Sequence, residues 1–319
     1  MRQRMEYNYG INFLRAVAII GIVLYHIFPL TIQGGFLGVC IFFLISGYLL
    51  AKQTNLSWRN QEFSVRKYYI KKFLRIYPPL YIMVMTVLAY FTLFQRPLLL
   101  GAREETASIF LGVNNWWQMA THASYFMQIT EHSPFTHLWY MGVEMEYLLL
   151  CPLLFWLYHK INEKTKEKGG MIFLLLLIVA SGVLMAVLFH SRGVNRVYYG
   201  TDTRAFTFLM GVCLGLGEDS LQQKLPLWFF EKCSRIIFAV CLGVTIALFV
   251  LVQGESAWLY QGGMVAISLL FALLVFSMNC VKGQELLFTK SRILQFIGKK
   301  SYYIYLWHYP ILFVWLYLF

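Results

Sequence analysis

Residues 171–190 read MIFLLLLIVASGVLMAVLFH, an unbroken apolar run with no Lys, Arg, Asp or Glu. An α-helix needs about 20 such residues, each rising 1.5 Å, to cross the hydrocarbon core of a bilayer. Further runs of this kind lie at roughly 11–30, 36–51, 78–95, 137–158, 203–217, 235–253, 258–279 and 302–319. The predicted fold class is therefore all-α, a polytopic transmembrane helix bundle of about nine spans occupying residues 1–319 as one domain. Composition agrees, because the 319 residues are 59% hydrophobic and 13% charged, whereas soluble domains carry about a quarter charged residues. Mean hydropathy is +0.60. No heptad array, low-complexity tract or 20–50-residue repeat occurs, which excludes coiled-coil, disordered and solenoid architectures. The first run carries Arg15 near its start and no small-residue cleavage site follows it, so it reads as a retained span, not a signal peptide.

The net charge of +12, from 27 Lys and Arg against 15 Asp and Glu, suggests nucleic acid only until its placement is read. With the N-terminus cytosolic, inner segments collect Arg2 and Arg4, then Lys52, Arg59, Arg66, Lys67, Lys71, Lys72 and Arg75, then Lys160, Lys164, Lys166 and Lys168. Lys224, Lys232, Arg235, Lys282, Lys290, Arg292, Lys299 and Lys300 fall on the same side, and only Arg96, Arg103, Arg192 and Arg196 lie outside. That asymmetry is the positive-inside pattern, and the basic surplus is topology and attraction to anionic lipid, not nucleic-acid binding. Within 52–77, basic residues alternate with aromatic and apolar ones at helical spacing up to Pro78-Pro79. This reads as an interfacial amphipathic helix stopped by the prolines; it either anchors to lipid or also holds an anionic cytosolic cofactor. Residues 96–136 form one long external segment, in which Trp116, Trp117, Tyr125 and Phe126 fit an interface belt better than a sugar-stacking platform.

Ionisable groups inside spans cost several kcal/mol and mark functional sites by default. Arg15 and His26 share the first span, about 16 Å apart along its axis, with Arg toward the cytosol and His toward the outer half. Arg15 suits a phosphate, and a neutral His26 suits a general base; the structural alternative is a snorkelling Arg and a hydrogen-bonded His. On the fourth span His137, Tyr140 and Glu144 stand at i, i+3 and i+7, one helical face, with Glu146 turned elsewhere. They can form a base, an acyl-accepting or proton-relaying hydroxyl and an orienting acid, or a satisfied interhelical network. His308 sits in the aromatic last span and either serves or supports the same cavity. Asp202 and Arg204 read as a functional pair or as a simple ion pair. The turn Gly34-Gly35-Phe36-Leu37-Gly38 and Ser46-Gly47 permit close backbone approach. Cys40, Cys151, Cys213, Cys233, Cys241 and Cys280 are scattered, without metal-site spacing, and read as packing residues with no metal implied. No phosphate-binding loop or G-x-S-x-G elbow is present, which argues against ATP-driven transport and soluble-type serine hydrolysis.

Together these residues resemble the membrane-bound acyltransferase-3 family, and within it the bacterial peptidoglycan O-acetyltransferases. The resemblance rests on Arg15 and His26 at Arg-x10-His spacing, Gly34-Gly35-Phe36-Leu37-Gly38-Val39, Phe42-Phe43-x-Ile45-Ser46-Gly47 and Arg75-Ile76-Tyr77-Pro78. It continues through Asn115-Trp116-Trp117-Gln118, Ser124-Tyr125-Phe126, Ser133-Pro134-x-x-His137-Leu138-Trp139 and Glu144. Tyr199-Gly200-Thr201-Asp202-Thr203-Arg204 and Ser301 to His308 complete it. The chain departs from the family at Cys40, where an Asp is usual, at Tyr140, where Ser or Ala is common, and at Glu146-Tyr147, where Gln-Phe is usual. The family usually has ten spans, and its peptidoglycan-modifying members add an SGNH esterase-like domain. Ending at Phe319 after nine spans, the chain is either shortened or passes its acyl group to a separate SGNH-type partner.

The resemblance implies an O-acyltransferase of the bacterial cytoplasmic membrane that takes an acyl group from cytosolic acetyl-CoA. Arg15, Lys72 and Arg75 would hold the donor's phosphates, His26 assisted by Glu144 would be the base, and Tyr140 a transient acyl carrier, with His137 and His308 as further catalytic candidates. The acceptor would be an extracytoplasmic glycan hydroxyl, most readily on peptidoglycan, or an SGNH serine. The rival readings are a proton-coupled transporter, which uses the same residue types but favours inverted-repeat halves not seen here, and an acyltransferase acting on another surface polysaccharide.

Overall fold

Lipid offers a backbone N–H or C=O no water to bond, so a chain this apolar must satisfy its main chain within helices. The computed structural model describes residues 8–99, 101–121, 125–126, 133–165, 169–226, 228–281 and 287–318, and among them no strand occurs. Arg2, Arg4, Ser124, Lys166, Lys168 and Lys282 lie outside the described residues. The helices are α1 (Tyr9–Ile27), α2 (Gly38–Arg59), α3 (Val65–Phe94), α4 (Ala102–Leu111), α5 (Asn114–Ala120) and α6 (Trp139–Lys164). They continue as α7 (Gly169–Tyr199), α8 (Thr201–Lys224), α9 (Ser234–Leu251), α10 (Met264–Cys280) and α11 (Arg292–Leu318). Among the described residues seven helices, α1, α2, α3, α6, α7, α9 and α10, are long and apolar enough to cross a membrane. Adding α8 and α11 accounts for each of the nine predicted runs. Helix α8 tolerates Asp202, Arg204 and Glu218 because it packs against α2, α7 and α10, so its polar side chains meet protein.

The α2–α8 crossing brings two helix backbones close together. A Cβ at Gly47 would stand 2.1 Å from the Phe208 carbonyl oxygen, and one at Gly211 would stand 2.0 Å from that of Leu44. Small residues are what allow two helix backbones to meet where the hydrophobic effect gives no help. Below this crossing the Glu218 carboxylate accepts from Tyr48 Oη at 2.7 Å and Asn279 Nδ2 at 2.7 Å, and Lys52 Nζ lies 2.5 Å away. A buried charge is tolerated only with such pairing, and the network ties α2, α8 and α10 together at the lysine-rich end.

Two expectations are corrected. Pro78-Pro79 do not end a helix; α3 runs through both from Val65 to Phe94. The two prolines remove the helical donors of the Leu74 and Arg75 carbonyls, a loss that spanning helices tolerate, and Tyr302 Oη ties α11 to the same turn through the Ile76 carbonyl at 2.7 Å. Asp202 does not pair with Arg204. It takes a bidentate bond from Arg196, at 2.9 and 2.6 Å, while Arg204 is fully buried against the faces of Trp139 and Tyr198.

The crossing is testable by volume. Gly47→Leu or Gly211→Leu should abolish monodisperse protein on size exclusion in detergent, since neither backbone can yield the 1 Å or more required. Gly243→Leu is the control: a Cβ there meets nothing within 4 Å, and the yield should be unchanged.

Candidate active site

Two polar clusters sit inside the bundle. The first is a narrow cavity of about 110 Å³ lined by Arg15 of α1, Ser46 of α2, Lys72 and Arg75 of α3, Tyr140 and Glu144 of α6, and Tyr302 of α11. Cations from two helices converge on one carboxylate: Glu144 Oε1 accepts from Ser46 Oγ, and Oε2 has no hydrogen-bond partner among the described residues while facing Lys72, Arg75 and Arg15. Ser46 reaches Glu144 because Gly47 lets α2 sit deep in the bundle; its role was missed in sequence, where Ser46-Gly47 reads only as packing. Leu50, Gln53 and Lys72 also line a wider polar vestibule of about 770 Å³ that carries Lys67 and Lys71.

The second cluster gathers three histidines from three distant parts of the chain. The His26 and His308 rings stand 5.4 Å apart, as do those of His137 and His308, and Tyr309 lies 4.9 Å from His26 and 5.0 Å from His137. Hydrogen bonds define their tautomers, since a carbonyl only accepts. His308 Nδ1 meets the Tyr305 carbonyl at 2.7 Å and so carries the proton, leaving Nε2 as the basic atom. His137 Nε2 meets the Leu306 carbonyl at 3.2 Å, leaving Nδ1 basic. Both basic nitrogens are buried without a partner among the described residues. The Leu306 carbonyl is open because its helical donor would be residue 310, which is Pro310 and has no N–H. Among the described residues no group of three or more His, Cys, Asp or Glu is disposed to hold an ion.

The sequence-derived residues thus divide. Arg15, Lys72, Arg75, Tyr140 and Glu144 share the cavity, while His26, His137 and His308 form the other cluster, and Glu144 meets Ser46 and not His26. A wall of two phenols separates the groups: the Tyr140 and Tyr305 rings are 5.2 Å apart, and Tyr305 lies 5.4 Å from His137 and 5.5 Å from His308. Tyr305 Oη also donates to the His137 carbonyl. Tyr125 corrects the interface-belt reading. It is buried, its Oη lies 3.0 Å from His26 Nε2, and it stacks on Tyr198 at 5.0 Å. Burial pushes its phenol far above the ordinary range, so it stays protonated and can donate to His26. The Ser-Tyr-Phe motif was the signal for it. Trp116 is the exposed member, its Nε1 donating to Glu146 at 2.6 Å.

Behind the histidines, buried Glu105 of α4 accepts from Gln118 Nε2 at 2.9 Å and from Ser133 Oγ. Ser133 opens the turn that carries His137: its Oγ accepts from Phe135 N at 3.1 Å and its carbonyl from Thr136 Oγ1 at 2.9 Å. Glu105 stood in no sequence motif.

Comparison with known proteins places this arrangement. The acyltransferase domain model Acyl_transf_3 matches residues 8–319. The chain belongs to the acyltransferase-3 family. It is 31% identical to the peptidoglycan O-acetyltransferase OatA of Listeria monocytogenes over 98% of this chain and 50% of that protein. It is 32% identical to the O-acetyltransferase OatA of Staphylococcus aureus over 96% of this chain and 51% of that protein. The chain therefore spans about half the length of these curated relatives. No solved structure matches it. Against the usual acyltransferase-3 Asp, Cys40 lies beside Arg204, whose Nε and Nη2 have no hydrogen-bond partner among the described residues. Nη1 donates to Met264 Sδ, and the guanidinium otherwise packs on the Trp139 and Tyr198 π-faces where a carboxylate would have paired it.

Two measurements follow from this geometry. Pro310→Ala restores a helical N–H to the Leu306 carbonyl, which then competes with His137 Nε2. The melting temperature should hold or rise while acyl transfer falls roughly tenfold, the worth of one orienting hydrogen bond. Burial raises the Glu105 carboxyl to about 7, so the fold favours its protonated form. That stabilisation is complete below the unfolded value near 4.3 and is lost as pH rises through about 7. Stability should drop by on the order of 3 kcal/mol across that window, and Glu105→Gln should flatten the melting-temperature difference between pH 5 and pH 8.

Proposed function

We propose that this chain carries an acetyl group from acetyl-CoA, bound at the lysine-rich cytosolic end, across the bacterial cytoplasmic membrane to a glycan hydroxyl outside. The observation that carries this reading is the pair of clusters, one cationic and one of imidazoles, on either side of the Tyr140–Tyr305 ring pair. Arg15, Lys72 and Arg75 suit a phosphate-bearing donor, since a guanidinium presents a fixed fork of donors to phosphate. The vestibule with Lys67 and Lys71 suits its nucleotide end, and the narrow cavity walled by Phe42, Ile45 and Leu49 suits the thin thioester arm. The lysine-rich end is cytosolic by the positive-inside bias, which also makes the N-terminus cytosolic.

The chemistry divides at the wall. On the cavity side the Tyr140 oxygen attacks the thioester carbon, the carbon–sulfur bond breaks, and the phenol proton passes through Glu144 to the departing sulfur. On the histidine side an acceptor hydroxyl attacks the tyrosyl ester, its proton passing through His308 Nε2 or His137 Nδ1 to the released Tyr140 oxygen. Tyr125 orients His26, and backbone carbonyls orient the other two imidazoles in the role a carboxylate plays in other triads. The acceptor is peptidoglycan, the substrate in the name of the Listeria relative, reached directly or through the serine of an SGNH-type partner.

Acetyl-CoA carrying a labelled acetyl group tests the scheme. His308→Ala protein should accumulate label on the peptide containing Tyr140, and Tyr140→Phe should accumulate none and lose transfer by about 10² or more. Full transfer by Tyr140→Phe would rule out the carrier. Arg15→Ala and Arg75→Ala should each weaken CoA binding roughly tenfold or more, the worth of a charged hydrogen bond. Mass spectrometry of muropeptides from cells with and without the gene identifies the acceptor by the lost ester.

A further inference from the structure

A third concavity, of about 1050 Å³, shares no lining residue with the narrow cavity. It opens between the ends of α2 and α6 and runs along α7, α8 and α10. Its floor is apolar, with Ile178 and Met210 buried and Cys213 and Leu214 half-buried; its side walls, through Ile172 and Leu175, are exposed. Its mouth is polar. Arg59 ends α2, Lys224 ends α8, and His159 and Glu163 lie on the last turns of α6. His159 is stacked flat on Trp58, ring centroids 4.4 Å apart and planes 6° apart, and its buried Nε2 has no partner among the described residues.

A charged mouth above an apolar trough describes an amphiphile with a compact polar head. With His159 neutral, two cations and one carboxylate leave the mouth with one positive charge, which complements a single phosphodiester and not a zwitterionic head group. The mouth faces the same end of the bundle as Lys52, Lys160 and Lys164, the leaflet in which bacterial anionic lipid meets juxtamembrane basic residues. The imidazole held flat on Trp58 gives the mouth a fixed wall, which distinguishes the groove from an ordinary lipid-facing surface.

We propose that this groove holds one anionic glycerophospholipid of the inner leaflet, its phosphodiester bound by Arg59 and Lys224 beside the flat His159 ring and one acyl chain lying along α7, α8 and α10. The site stands apart from the acyl-transfer reading, and neither depends on the other.

Native mass spectrometry of the full chain, purified in detergent and titrated with phosphatidylglycerol or phosphatidylcholine, tests it. Phosphatidylglycerol should be retained in preference as a single adduct. Arg59→Ala with Lys224→Ala should weaken that retention about thirtyfold, at about 1 kcal/mol for each basic residue near a lipid head group. Gly217→Leu tests the trough without touching the charges: a Cβ there meets only Met171 Cε, at 3.4 Å, an ordinary contact, so the chain folds while the longer side chain fills the groove and displaces the lipid. Equal retention of the two lipids, or adducts unaffected by either variant, overturns the proposal. Competition by glycerol 3-phosphate at the same concentration as phosphatidylglycerol would mark a phosphate site and likewise overturn it.

Discussion

A carbonyl that loses its helical donor inside a bilayer has to find another within the protein, and this constraint wires the bundle together. Pro310 leaves the Leu306 carbonyl open, and His137 takes it. Pro152 leaves the Leu148 carbonyl open, and Tyr68 Oη takes it at 3.0 Å, with Tyr69 Oη on the next carbonyl at 2.7 Å. Through these bonds α6 is fixed to α11 on one side and to α3 on the other. The prolines act as sockets, each exposing an acceptor that only a side chain from another helix can reach. One socket also sets the tautomer of His137, so a backbone defect and the orientation of a candidate base are the same interaction.

Electrostatics then separates the interior into two compartments. Arg15, Lys72 and Arg75 all lie toward the Glu144 carboxylate, so one compartment is built from charged groups. The three histidines have no carboxylate in contact among the described residues, and backbone carbonyls and a phenol orient them instead. Neutral imidazoles are cheap to bury, whereas imidazoliums are not. The close α2–α8 approach at Gly47 and Gly211 shapes the first compartment, because the same depth that brings those backbones together delivers Ser46 to Glu144 and Phe43 to Tyr140, whose ring centroids lie 4.7 Å apart.

The sequence by itself determined the helical class, the positions of the nine long helices and the residues that lipid makes costly: Arg15, His26, His137, Tyr140, Glu144 and His308. Those are local properties, since hydropathy over 20 residues and a charge within an apolar run need no knowledge of neighbours. The tertiary structure alone decided the partners. Tyr125 reaches His26 from a segment that reads as external, Glu144 turns to Ser46 instead of His26, Asp202 chooses Arg196, and Pro78-Pro79 sit inside a continuous α3. Each of these depends on how helices far apart in the chain are rotated and spaced against one another. Periodicity along one helix carries no information about that register; it is set by which side chains fill the facing surface and which carbonyls are left open there.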